Sequence, residues 1–172
     1  MVQFKLKPIS KKAIPEALQK AKRYRLIQEP ALAESICLDI LQADPANQDA
    51  ILTLLLAITD QFREGVSAER ALELLPLIAE TYTREYYTGV VWERSALATL
   101  RQATPGAEAK AREKLLQAMD CFERAEKIRP SGNDDAILRW NTCARMLMRG
   151  HHPQQQHDHI PSPTRPSDAA IL

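Results

Sequence analysis

The sequence predicts an all-α chain of about seven helices, and three observations carry the prediction. Apolar residues recur at three- and four-residue spacing in seven successive blocks, the period that lines one face of a helix. Aromatic residues make up only 5% of the chain and glycines number five, while Ala, Leu, Glu, Arg and Gln abound, which favours helix over strand. Proline and turn dipeptides fall mainly between the blocks, where they punctuate helices rather than break them.

Taken in order, the first helix runs from Pro15 to about Gln28, with the proline tolerable in the first turn. The second covers 30–43, opened by Pro30 and closed by the Asp44–Pro45 pair. The third, 46–60, is apolar almost all round beyond Asp49, the mark of a helix enclosed by neighbours. A fourth, 67–80, starts at Ser67, whose hydroxyl can cap free amides, and carries Pro76, which should kink or split it. A fifth follows Thr83 to about Arg101. Thr104–Pro105 then reads as an N-cap and first-turn proline for the sixth, whose stripe Leu115, Leu116, Met119, Phe122, Ala125 ends before Pro130. Ser131 and Asn133 are alternative caps for the seventh, which Gly150 ends. Residues 1–13 form a basic lead-in, 14–150 the folded domain, and 151–172, with four prolines and no periodicity, a disordered tail.

Charge and cysteine usage narrow the function classes. The net charge is +1, so no global field draws the chain to nucleic acid or a membrane surface. The first 29 residues hold eight cations against Glu16 and Glu29, a basic end of +6 on a body of −5. Cys37, Cys121 and Cys143 are widely spaced and odd in number, as expected of buried thiols in a reducing compartment rather than a disulfide framework or metal site. The N-terminus has no apolar signal-peptide core, and no apolar run approaches the ~20 residues that span a bilayer. A cytoplasmic location is the expectation.

Sliding the helix pairs over one another exposes an internal repeat. A small residue in the second helix of a pair is followed by apolar ones at +4 and +7 and Pro at +12: Ala33, Cys37, Ile40, Pro45, and again Ala118, Phe122, Ala125, Pro130. A middle copy has Ala71, Leu75 and Ile78 but Thr83 where Pro should fall. The matching first helices set a small residue three before a large one at Ala21–Tyr24 and Gly89–Trp92, with Leu55–Ile58 between. This pattern resembles the tetratricopeptide repeat over about residues 14–149. The resemblance implies antiparallel helical hairpins stacked as a short right-handed solenoid, with the seventh helix as a terminal cap. Two spacings depart from it. Ala33 to Ala71 is 38 residues rather than 34, and Gly89 to Ala118 is 17 too long, so residues 82–130 form either an elongated repeat or a separate helical hairpin.

Tetratricopeptide arrays bind peptides or helices in a groove lined by their first helices. Carried onto this chain, the groove positions are Leu18, Lys22, Arg25; Leu52, Leu56, Thr59; and Tyr86, Val90, Glu93, with Lys22, Arg25 and Tyr86 expected to be exposed. The alternative is that Leu52 and Leu56 are covered by the chain itself or by a second copy. All four histidines lie in 151–172, so the folded part lacks the commonest general base, and no paired carboxylates, Gly-rich phosphate loop or nucleophile motif stands out. Tail histidines could catch a transition metal only adventitiously, so no metal or cofactor is expected. The sequence thus favours a non-enzymatic protein–protein interaction module, an adaptor or scaffold that could also self-associate. The rival class is a helical nucleic-acid-associated regulator using Lys20, Lys22, Arg23 and Arg25, weakened by the lack of interleaved aromatics or a reading helix.

Overall fold

Seven α-helices form in the computed structural model, which describes residues 4–102 and 104–149: α1 (Ile14–Leu26), α2 (Pro30–Ala43), α3 (Gln48–Asp60), α4 (Glu69–Leu72), α5 (Thr81–Arg101), α6 (Ala107–Lys127) and α7 (Asp135–Arg149). Short 3-10 turns fall at Lys11–Ala13, Gln61–Glu64 and Leu75–Leu77, and no strand occurs among the described residues. The tail expected at 151–172 lies outside them, and of the lead-in residues 4–10 precede the first 3-10 turn without helix or strand.

Local chemistry sets most boundaries. Pro30 occupies the first turn of α2, where its missing N–H costs nothing, and Asp44 ends that helix. Asn47 caps α3, its Oδ1 accepting the Ala50 amide at 3.0 Å, and Ser67 Oγ accepts the Glu69 amide at 3.3 Å ahead of α4. The helix expected over 67–80 is split: one turn of α4 gives way to a 3-10 turn around Pro76, and Ile78 is extended. α5 begins two residues before Thr83, because the Glu80 carboxylate caps the amides of Tyr82 and Thr83 at 3.0 and 2.6 Å.

Thr104 and Pro105 do not start α6. The Ala107 amide donates to the Thr104 carbonyl at 3.0 Å while Gly106 sits at φ 79°, so Thr104–Pro105–Gly106–Ala107 is a turn with Pro second and a left-handed Gly third. Of the two caps open to α7, Asn133 serves: its Oδ1 accepts the Asp135 amide at 2.9 Å and the Tyr82 hydroxyl at 3.1 Å.

Helices consecutive in sequence pack against one another, the short α4 lying between α3 and α5; α5 and α6, 21 residues each, share the longest contact, and α1 also touches α3, which touches α5. One apolar cluster joins α1 to α5 through Ala21, Ala33, Cys37, Leu55, Ile58 and Ala71. A second joins α5 to α7 through Val90, Ala96, Leu115, Ala118, Phe122 and Cys143. Half-buried Leu56 and Tyr87 pack against both, so α3 and α5 tie the two clusters together. The repeat positions Ala33, Cys37, Ile40, Ala71, Leu75, Ile78, Ala118, Phe122 and Ala125 are all buried, and small residues stand at the helix contacts. Burying each such apolar side chain stabilises the fold by roughly 1.5–3 kcal/mol for the large ones, which is why the core rather than helix propensity holds these elements.

Candidate partner-binding groove

α3 is enclosed on every side but one. Past Gln48, its only residues that are not buried are Asp49, Leu52, Leu56 and Asp60, three or four apart on a single stripe. α1 flanks it with exposed Lys22 and partly exposed Leu18 and Arg25, and α5 with partly exposed Tyr86, Tyr87, Arg94 and Leu97. The central helix therefore shows solvent an apolar strip, Leu52 and Leu56, with a carboxylate at each end.

At the Asp60 end the walls become strongly charged. Asp60 holds two arginines from different helices: Arg25 Nε donates to Oδ2 at 2.8 Å, and Arg94 Nη1 donates to Oδ1 at 2.5 Å. Arg94 Nη1 also donates to Thr59 Oγ1 at 2.7 Å. Beside them Arg139 of α7 donates through Nη1 to Glu93 Oε2 at 3.0 Å and through Nε toward the Tyr86 hydroxyl at 3.4 Å. Glu93 is 3% exposed, and burial raises its pKa while Arg139 and Arg94 pull it back. Burial likewise raises the Tyr87 phenol, against the pull of Arg25, Arg139 and Arg94, three cations converging there from three helices.

Arg25, Asp60, Glu93, Arg94 and Arg139 line a cleft of about 450 Å³ that draws on α1, α3, α5 and α7 and on Pro30 at the start of α2, with Arg63 from the turn after α3 and with Leu97 and Ala98 as apolar lining. Two larger hollows, about 600 Å³ beside Trp140 and about 540 Å³ along the outer face of α1, take their lining from at most two helices. The cleft is preferred as a site because it joins more of the chain and collects the charge.

Of the nine groove residues expected from sequence, Arg25 and Glu93 meet in the cleft, with Thr59 behind them. Thr59 is buried, and its hydroxyl is engaged by Arg94 and by the Leu56 carbonyl, so Asp60 stands on the accessible stripe in its place. Val90, 1% exposed, lies inside the second cluster, and Arg94 one turn on takes the accessible position. Tyr86 is half-buried rather than exposed: its ring stacks on Tyr82 at 6.0 Å, meets Tyr87 edge-on at 5.2 Å and tilts onto Phe122 at 5.9 Å. Lys22 is exposed, 3.9 Å from the likewise exposed Asp49, a pair worth about 0–1 kcal/mol. Leu18 packs partly against the small cluster of Ile14, Ile40 and Ala50. Sequence reasoning passed over Asp60, Arg63, Arg94 and Arg139; Asp60 and Arg94 carried a signal, each lying four residues beyond an expected groove residue, Leu56 and Val90.

The remaining polar groups have structural explanations. Lys114 Nζ donates at 2.9 Å to both Ser95 Oγ and Thr99 Oγ1, hydroxyls on the buried face of α5. Cys37, Cys121 and Cys143 are buried free thiols, and burial pushes Cys37 up to about 11 and Cys143 up to about 12. Trp140 is half-buried, its indole N–H donating to Glu123 at 2.9 Å. Among the described residues, no three His, Cys, Asp or Glu side chains converge where a metal could sit, and no helix is long and apolar enough to cross a membrane. The histidines weighed as adventitious ligands lie outside those residues. No family model, curated protein or solved structure matches the chain.

Proposed function

We propose that this chain is a protein-interaction module, a short tetratricopeptide-like array whose helices α1, α3, α5 and α7 present a groove to a peptide or helix of another protein. The observation that carries this reading is the open stripe of α3. A central helix buried on all other faces leaves half-buried Leu52 and Leu56 partly accessible between flanking helices, an apolar floor bounded by charge, as a groove for an extended segment or an amphipathic helix requires. The repeat register adds support: the small residues Ala21, Ala33, Gly89 and Ala118 are buried where the repeat places close helix contacts. The role is that of an adaptor or scaffold with no chemistry of its own.

The test uses Lys22→Glu and Arg63→Glu together, since both side chains are exposed and neither supports the fold. Rim charges steer encounter, so a partner that the wild type captures should be lost or strongly reduced with the double variant at an unchanged unfolding midpoint. Equal capture would place the binding surface elsewhere.

A further inference from the structure

The cleft at the Asp60 end carries more cationic hydrogen-bonding capacity than the protein itself uses. Asp60 engages Arg25 through Nε alone and Arg94 through Nη1 alone, and no partner for Arg63 appears among the described residues. Arg139 spends Nε and Nη1 on Tyr86 and Glu93. The guanidinium edges left over belong to side chains that are 20% exposed at Arg25, 27% at Arg94 and 36% at Arg139, so they are held in place and still reachable. One partly exposed carboxylate thus fixes two like charges side by side, and the ordering cost of assembling them is met on folding rather than on binding.

Resting on the groove reading above, we propose that this cleft receives an acidic side chain, Asp or Glu, from the segment that lies along α3. A carboxylate is the group whose two oxygens match the paired N–H edges of a guanidinium, and such bonds are short and charge-assisted. Leu97 and Ala98 in the lining give the methylenes of that side chain an apolar surface. The charge balance selects a single acid over a polyanion. Asp60, Glu64 and Glu93 line the cleft together with the four arginines, so a nucleic-acid backbone would meet three carboxylates as well as the cations, whereas one carboxylate needs only the free edge of a guanidinium.

The experiment titrates the full chain, labelled at arginine Nε, with the capped peptide Ac-Ala-Ala-Gln-Ala-Glu-Ala-Gln-Ala-Ala-NH2, with its Glu→Gln counterpart, and with an oligonucleotide of eight deoxythymidines. The Glu peptide should move the Nε–H signals of Arg25, Arg63 and Arg94, and the Gln peptide should bind about ten-fold more weakly, as expected for loss of hydrogen bonds to a charged group. Arg63→Gln should weaken the Glu peptide several-fold, while Arg23→Gln on the outer face of α1 should leave it unchanged. Equal binding of the Glu and Gln peptides, no binding of either, or tighter binding of the oligonucleotide overturns the acidic-side-chain proposal. Those outcomes leave the groove standing if a partner is still lost with Lys22→Glu/Arg63→Glu; if that partner is retained, the groove itself is wrong.

Discussion

Gly89 on α5 lies against the ring of Phe122 on α6, so closely that a Cβ on Gly89 would fall 2.5 Å from Cε1 and 2.7 Å from Cδ1. Gly in a helix interior costs about 1 kcal/mol relative to Ala, and here that cost admits the largest fully buried side chain of the fold.

Gly89→Ala should therefore destabilise the domain despite its better helix propensity, by about 1–3 kcal/mol from overpacking. Gly89→Ala with Phe122→Leu should lose less than the two single changes summed, because each relieves the other. Denaturant unfolding of the three variants measures the coupling, and additive losses would mean that the ring does not set the α5–α6 separation.

Ala33 and Ala118, both fully buried, fill the small positions of the repeat. Replacement of either by Leu should cost about 1–3 kcal/mol by overfilling a helix contact. Neutral outcomes at both would show that these contacts can open freely and that the repeat register has no structural meaning.

Glu93 and Arg139 give the fold a pH signature. Burial raises the folded-state pKa of Glu93, so the native state binds this proton more readily than the unfolded chain. The contribution of Glu93 to stability is thus most favourable below its unfolded value near 4.5 and declines as pH rises through the raised folded value. Glu93→Gln should remove that decline. Arg139→Ala should cost more at pH 7, where it strands a buried carboxylate, than at acidic pH, where the raised pKa favours neutral Glu93; the pH 7 loss is about 1–3 kcal/mol after allowance for the partial exposure of Arg139. Unfolding curves at both pH values decide it, and a loss independent of pH would separate Arg139 from the ionisation of Glu93.

The thiols should be inert in the folded protein. With Cys37 pushed up to about 11 and Cys143 to about 12 by burial, the reactive thiolate is scarce at pH 8. A disulfide reagent should modify all three cysteines rapidly only in denaturant, and a thiol that reacts at once in the native state would contradict their burial.

The helices were legible because period 3.6 and the Pro, Asn and Ser boundary residues act locally. Thr104–Pro105 misled because Gly106, which can take positive φ, completes a turn that a threonine cap would otherwise have displaced. On α3, spacings 52, 56, 59 and 52, 56, 60 both follow one stripe, so the sequence could not choose between Thr59 and Asp60; burial chose. Arg139 pairs with Glu93 across 46 residues, and such a contact leaves no pattern in the chain between them.

Site-specific photocross-linking in cells tests the groove most directly. A photoreactive residue placed at Leu97 in the cleft lining, or at Leu52 on the floor, should capture a discrete partner, whereas one at exposed Ser35 on α2, a helix that lends the cleft only its first residue, Pro30, should not. Addition of Arg63→Glu should diminish the Leu97 product. Cross-linking at Ser35 with none at Leu97 or Leu52 would contradict the account and move the interaction to the exposed side of α2.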